Sequence, residues 1–229
     1  MGGPTGSTKF KPRFCCNGGM AAVLSPPITR TIRHNVSWEE FERLIADNAE
    51  GHVRHAYHEG ILETTVPSQT HEERIEFFRN FIGSAAPELG VSARGLGSTT
   101  IRHPDSRKGF EPDASYYIRN ERLVRGKRQI DFTKDPPPDL VIEVDVTNSS
   151  MDKLPLFAAL RIPEVWRCDD EGVRILVLSG KRYEPQPSLA FPGLDAATLT
   201  RFLNASLHTE PVELILRMRQ WARDNLVSA

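Results

Sequence analysis

The sequence predicts an α/β or α+β fold in which a mixed β-sheet is flanked by helices. Two observations support this prediction. Segments with helical periodicity alternate with β-patterned segments, in the order helix, hairpin, helix, strands, helix, strands, helix. The chain also has 229 residues, 39% of them hydrophobic and 26% charged, which are the proportions of a globular protein with its own core.

Composition and charge exclude several classes of protein. The formal net charge is −1, so binding to nucleic acid would depend on a local basic patch. The apolar run nearest the N-terminus, residues 20–24, is too short for a signal sequence or a membrane span. Cys15, Cys16 and Cys168 form no disulfide framework. We therefore expect a cytoplasmic protein with no membrane partner.

Three regions follow from the distribution of residue types. Residues 1–30 are rich in Gly, Pro, Ser and Lys without periodicity, so we expect a disordered N-terminal tail. Residues 31–205 carry the folding patterns of one domain. Residues 206–229 form a C-terminal helix, on which Leu214, Met218 and Trp221 recur at helical spacing. This stripe either packs on its own domain or forms the interface of a homodimer, which we expect.

The first helix and the hairpin have clear local signals. Ser37 and Glu40 form a capping box that opens a helix. Two strands, His52–Tyr57 and Ile61–Val66, follow and are joined by a turn at Glu59-Gly60.

The remaining elements alternate between helix and strand. A second capping box at Thr70 and Glu73 opens a helix that ends near Pro87 and Gly90. The later segments are strands at 97–103, 110–118 and 139–147, a short helix at 151–160, a β-meander at 164–185, and helices at 194–203 and 212–225.

Carboxylates on apolar strands are the main functional signal. Glu143 and Asp145 are two residues apart, so they lie on one face of a strand whose other face is aliphatic. If the strand containing Asp113 is its neighbour, Asp113, Glu143 and Asp145 converge on one point. Oxygen ligands suit Mg²⁺ or Mn²⁺, and Lys153 could reach such a site to hold a phosphate or activate water. A solvated sheet face is the alternative interpretation.

Four segments, EPDASYYI, PPPDLVIEVDVT, DKLPLFAALRIPEVWR and LETTVPSQTHE, closely resemble the Uma family of bacterial restriction-endonuclease-like proteins. The resemblance runs from about Ile32 to Leu203, and the family is placed in the PD-(D/E)XK nuclease superfamily. It implies a restriction-endonuclease-like mixed sheet, with Asp113 as the Asp of "PD" and Glu143 as the acidic residue of "(D/E)XK".

The third position of that motif departs from the family pattern. This chain has Asp145 there instead of lysine. Related nucleases can supply the lysine from the next helix, and Lys153 is the candidate for that role. Glu63 and His71 match positions that the family places near the pocket. Either residue could instead be structural, on a surface strand or at a helix N-terminus.

These observations predict a Mg²⁺- or Mn²⁺-dependent endonuclease that hydrolyses phosphodiester bonds of DNA. The alternative is a catalytically silent module of the same fold that binds nucleic acid or a protein. A basic run consists of Arg119, Arg122, Arg125, Lys127 and Arg128. It is either a solvated loop or a patch that contacts phosphates beside the site.

Overall fold

The structure, a computed structural model, describes residues 29–48, 53–103, 107–145 and 152–226. The strands are β1 (Thr29–Arg33), β2 (Arg54–His58), β3 (Ile61–Val66), β4 (Arg94–Gly97), β5 (Ile101–His103), β6 (Lys108–Phe110), β7 (Ala114–Tyr117), β8 (Leu140–Val144), β9 (Glu164–Asp169), β10 (Gly172–Ser179) and β11 (Arg182–Pro185). The helices are α1 (Trp38–Asp47), α2 (Gln69–Leu89), α3 (Glu121–Val124), α4 (Leu154–Ala159), α5 (Ala196–Ser206) and α6 (Pro211–Asn225). The predicted α/β class is confirmed.

The strands divide into two sheets. Sheet A has the order β1-β3-β2-β6-β5 and is antiparallel. Sheet B has the order β11-β10-β9-β8-β7-β4 and is mixed, since β8 and β9 are parallel. Sheet B corresponds to the predicted central mixed sheet, whereas sheet A is a second sheet that was not predicted. The predicted strands 97–103 and 110–118 each break in two, and the chain crosses from one sheet to the other at each break.

Local capping explains where the long helices begin. Ser37 caps α1 by accepting a hydrogen bond from the backbone N of Glu40, as predicted. For α2 the predicted capping box at Thr70 is wrong by two residues. Ser68 has extended backbone geometry and accepts from the backbone N of His71, so it is the N-cap. The helix ends as expected at Gly90, which is left-handed with a φ of 71°.

The predicted hairpin is formed by β2 and β3, with Glu59 and Gly60 in the turn. Both residues have positive φ, 51° and 82°. This geometry matches the right-handed twist of the two strands, and glycine adopts it without steric cost.

Alternation along β8 separates the two faces of sheet B. Ile142 and Val144 belong to a core that also contains α2, α5 and α6. Val141 lies on the other face, in a second core with residues of sheet A and with Leu156 and Phe157 of α4. A third cluster packs α1 on the far side of sheet A. Glu143 is two residues from Val141, so it belongs to the side of sheet B that meets sheet A. Asp113 belongs to the same side, because the next residue, Ala114, packs in the first core with Ile142.

The apolar stripe of α6 is covered by the chain itself. Leu214 and Met218 are buried in the same core as α2. Trp221 packs against Phe81 and Phe202, with ring centroids 6.0 Å from each. The stripe therefore supplies no interface for the predicted homodimer.

Some predicted features fall outside the described ranges. Residues 1–28 of the predicted tail lie there, whereas residues 29 and 30 belong to β1. Residues 146–151 also lie there, including the end of the predicted strand 139–147. Within the described ranges, no helix is long and apolar enough to cross a membrane.

Candidate active site

Neighbouring strands bring Asp113 and Glu143 opposite each other. β7 and β8 are antiparallel, with Ala114 opposite Ile142. Asp113 immediately precedes β7, so the same register places it opposite Glu143. Both residues are buried, with 8% and 3% of their surface exposed. The condition under which Asp113 and Glu143 come together, that their strands are neighbours, is met.

Two donors hold Asp113 in place. Its Oδ2 accepts a hydrogen bond of 2.8 Å from the backbone N of Val144 and lies 3.0 Å from Nε2 of His71. Burial would raise the pKa of Asp113, but the hydrogen bond and charge of His71, with Lys153, hold this pKa below its usual range. Burial likewise would lower the pKa of His71, and Asp113 raises it instead. The pair is thus stabilised as an imidazolium and a carboxylate.

Lys153 is the direct partner of Glu143. It lies at the N-cap of α4, and its Nζ donates a hydrogen bond of 2.7 Å to Oε2 of Glu143. Burial raises the pKa of Glu143 to about 7; Lys153 opposes this shift, and Asp113 adds to it. Burial would lower the pKa of the Lys153 ammonium, but Glu143, Asp113 and Glu63 raise it.

Sheet A contributes another buried carboxylate. Glu63 lies on β3 with 1% of its surface exposed, and its Oε1 is 3.7 Å from Nζ of Lys153. The same oxygen is 3.6 Å from Nε of Arg30 on β1. Neither carboxylate oxygen of Glu63 accepts a hydrogen bond from the part of the chain that the structure describes. Lys153 therefore lies between carboxylates of the two sheets.

Asp145 is paired with arginines. Its Oδ2 lies 2.9 Å from Nε of Arg167 on β9, and its Oδ1 lies 3.6 Å from Nη2 of Arg30. Across the described ranges, no group of three or more His, Cys, Asp or Glu residues is arranged to hold a metal ion. The pairing of β8 with β9 supplies Asp145 with a cationic partner, and the metal site of Asp113, Glu143 and Asp145 stays a prediction.

Arg30 and Arg167 were not among the site residues predicted from the sequence. The available signal was weak, because each is one charged residue within a short strand that carries other polar residues. Their approach to Asp145 depends on which strands pair, and no local pattern shows this.

The residues present fit a hard divalent cation on two carboxylates. Asp113 and Glu143 offer oxygen donors, which Mg²⁺ and Mn²⁺ prefer. Oε1 of Glu143 is buried and has no hydrogen-bond partner within the described ranges. A buried oxygen without a donor is costly unless something pairs with it. Mg²⁺ is commonly bound by one or two carboxylates together with waters and substrate phosphates.

The basic run of residues 119–128 lies away from this site. It follows the end of β7, whereas Asp113 precedes the start of that strand. The six residues from Asp113 to Arg119 span about 20 Å in extended chain. Arg125 pairs with Glu121, and Lys127 pairs with Asp135. The side chains of Arg122 and Arg128 are exposed. The run therefore lies at the other end of the strand from the carboxylates, and whether it is a solvated loop or contacts phosphates there stays open.

Comparisons with known proteins give one family. Residues 38–212 match the Uma2 family, described as "Putative restriction endonuclease". A crystal structure described as "a putative nuclease belonging to DUF820", from Anabaena variabilis, is similar with a TM-score of 0.43 and 17% identity, over 80% of this chain and 99% of that one. No curated protein matches the chain. Because the family match spans most of the chain, the protein belongs to the Uma2 family.

Proposed function

We propose that this protein is a Mg²⁺- or Mn²⁺-dependent endonuclease that hydrolyses phosphodiester bonds of DNA. One observation carries the proposal: Asp113 and Glu143 are buried opposite each other on adjacent strands, and Nζ of Lys153 lies 2.7 Å from Glu143. Two carboxylates can hold a metal for phosphodiester hydrolysis, and a lysine beside them can contact the phosphate or the water. The family match supports the same class of chemistry.

Each residue has a distinct proposed role. Asp113 and Glu143 would hold the metal, which when bound neutralises charge on the phosphate and lowers the pKa of the attacking water. Lys153 orients the scissile phosphate or the water. His71 fixes the rotamer of Asp113 through its hydrogen bond of 3.0 Å. Glu63 offers Lys153 a second acceptor, 3.7 Å away.

Cleavage assays with matched variants test the proposal. Plasmid and linear duplex DNA are incubated with wild-type protein in Mg²⁺, in Mn²⁺ and in chelator. We expect nicking or cutting with metal, its loss in Asp113→Asn and Glu143→Gln, and a decrease of about 10²–10³-fold in Lys153→Met. Glu184→Gln, at an exposed glutamate of β11, is the control and should keep full activity. If wild type and all variants cleave DNA to the same extent with metal and in chelator, the proposal is contradicted.

The second candidate function is a DNA-binding module that does not cleave. Each carboxylate of the pair already has a cationic partner, His71 for Asp113 and Lys153 for Glu143. These cations offset part of the charge that a metal would otherwise neutralise. DNA binding by the wild-type protein, with no cleavage in either metal, would favour this candidate.

Assembly as a homodimer is a separate proposal. Cleavage of both strands of a duplex is simplest when two copies each act on one strand. The buried stripe of α6 leaves this proposal without a defined interface. Light scattering at micromolar concentration, with and without duplex DNA, measures the mass directly. A monomer under both conditions would contradict it.

A further inference from the structure

We propose that Arg167, held in place by Asp145, contacts a phosphate of the DNA strand beside the Asp113–Glu143 pair. The inference rests on the proposed function, since it adds a substrate-binding residue to that site. Asp145 is then a positioning residue for an arginine instead of a metal ligand.

The position of Arg167 follows from strand register. β8 and β9 are parallel with Glu143 beside Arg167, and Asp113 lies opposite Glu143 on the other side. Residues that pair laterally point to the same face of a sheet, and adjacent strands are about 4.8 Å apart. Asp113, Glu143 and Arg167 therefore form a row across three strands. A phosphate near the two carboxylates is within reach of the guanidinium at the end of this row.

The orientation of Arg167 leaves its best donors available. Nε is taken by Oδ2 of Asp145 at 2.9 Å. Its two terminal nitrogens donate no hydrogen bond to any residue within the described ranges, and a quarter of its side chain (25%) is exposed. A guanidinium fixed at Nε presents a planar pair of donors that matches a phosphate in geometry and charge.

Asp145 has Arg30 as a second cationic partner. Nη2 of Arg30 lies 3.6 Å from Oδ1 of Asp145, so the carboxylate is shared between two arginines. Arg30 also lies 3.6 Å from Glu63, so the two arginines and the two carboxylates balance in formal charge. The attraction for a phosphate therefore comes from the terminal nitrogens of Arg167 and not from a net charge of the group.

The test measures binding of a short fluorescein-labelled DNA duplex by anisotropy in chelator, between about 50 and 200 mM NaCl. Wild type is compared with Arg167→Gln, Arg167→Lys, Asp145→Asn and Arg217→Gln. Arg217 is the matched control, because it also pairs with a carboxylate but lies on α6, which packs on the other face of sheet B. Thermal melts confirm that each variant is folded.

We expect Arg167→Gln to weaken DNA binding by roughly tenfold. The slope of log affinity against log salt concentration should also become shallower by about one, because one phosphate contact is lost. Arg167→Lys should keep the slope of wild type, because it keeps the charge, yet bind less tightly than arginine. Asp145→Asn should weaken binding with the slope unchanged, and Arg217→Gln should match wild type. The inference is overturned if Arg167→Gln binds like Arg217→Gln, or if wild type binds no duplex.

The two proposals fail in different ways. If wild type binds DNA through Arg167 but cleaves nothing in Mg²⁺ or Mn²⁺, the proposed endonuclease activity fails and the phosphate contact stands. If wild type cleaves and Arg167→Gln has normal affinity and slope, the phosphate contact fails alone.

Discussion

Lys153 donates a hydrogen bond of 2.7 Å to Glu143, and its ammonium also lies 3.7 Å from Glu63. One side chain at the start of α4 thus connects β8 of sheet B with β3 of sheet A. The family motif expects a lysine two residues after Glu143, where this chain has Asp145. The lysine contact with Glu143 is made from the next helix, and the carboxylate at position 145 pairs with arginines.

The first prediction concerns how stability depends on pH at Glu143. Burial raises the pKa of Glu143 from 4.5 to about 7, so the folded protein binds this proton more tightly than the unfolded chain. The contribution of Glu143 to stability is therefore fully present below about pH 4.5 and is lost as pH rises to about 7. Glu143→Gln removes this dependence. The melting temperature of Glu143→Gln in chelator should rise relative to that of wild type as pH increases across this range. The melting temperature of the control Glu184→Gln should change with pH as that of wild type does.

The second prediction concerns metal binding. Metal at a hundred times its dissociation constant stabilises a folded protein by about 2.7 kcal/mol. Wild type should show this shift in thermal melts with Mn²⁺ relative to chelator. Asp113→Asn and Glu143→Gln should lose it. Asp145→Asn should keep it, because Asp145 is paired with Arg167 and Arg30. Loss of the shift in Asp145→Asn would restore Asp145 as a metal ligand.

The third prediction concerns the pair of His71 and Asp113. In His71→Ala, buried Asp113 keeps the backbone N of Val144 but loses its imidazolium partner, which should cost about 1–3 kcal/mol in the free energy of unfolding. Asp113 raises the pKa of His71, so the charged pair stabilises the fold below the ordinary His pKa and is lost as pH rises through the raised value. The difference in the free energy of unfolding between His71→Ala and wild type, measured by urea denaturation, should therefore become smaller at alkaline pH. A difference that does not change with pH would contradict this explanation.

The fourth prediction concerns the boundary of the domain. A protein that starts at residue 29 should melt at the temperature of the full chain, as expected if residues 1–28 contribute no packing. A protein that starts at residue 34 lacks β1, which pairs with β3 along its whole length and carries Arg30. It should melt at a lower temperature, because β3 loses its partner and Glu63 loses a cation. Equal melting of both truncations would contradict the role of β1.

Local chemistry in the sequence determined much of the fold and the identity of the principal site residues. The cap at Ser37 and the turn at Glu59-Gly60 act over a few residues, so the sequence could predict α1 and the hairpin. The alternation around Glu143 could be recognised for the same reason, since a strand with one apolar face needs no distant information. Together with the motif resemblance it indicated Asp113, Glu143 and Lys153, and the structure brings all three together.

Strand pairing between distant segments decided the rest. Which strands belong to sheet A or sheet B depends on contacts across the whole chain, and periodicity within one strand carries no record of its neighbours. The parallel register of β8 with β9 sets Arg167 beside Glu143, and β1 delivers Arg30 from more than a hundred residues away. These two cations give Asp145 arginine partners, which the sequence did not indicate. A carboxylate in a strand pattern has the same sequence signature as a metal ligand or as an arginine partner, so only the charges that folding places around it can distinguish them.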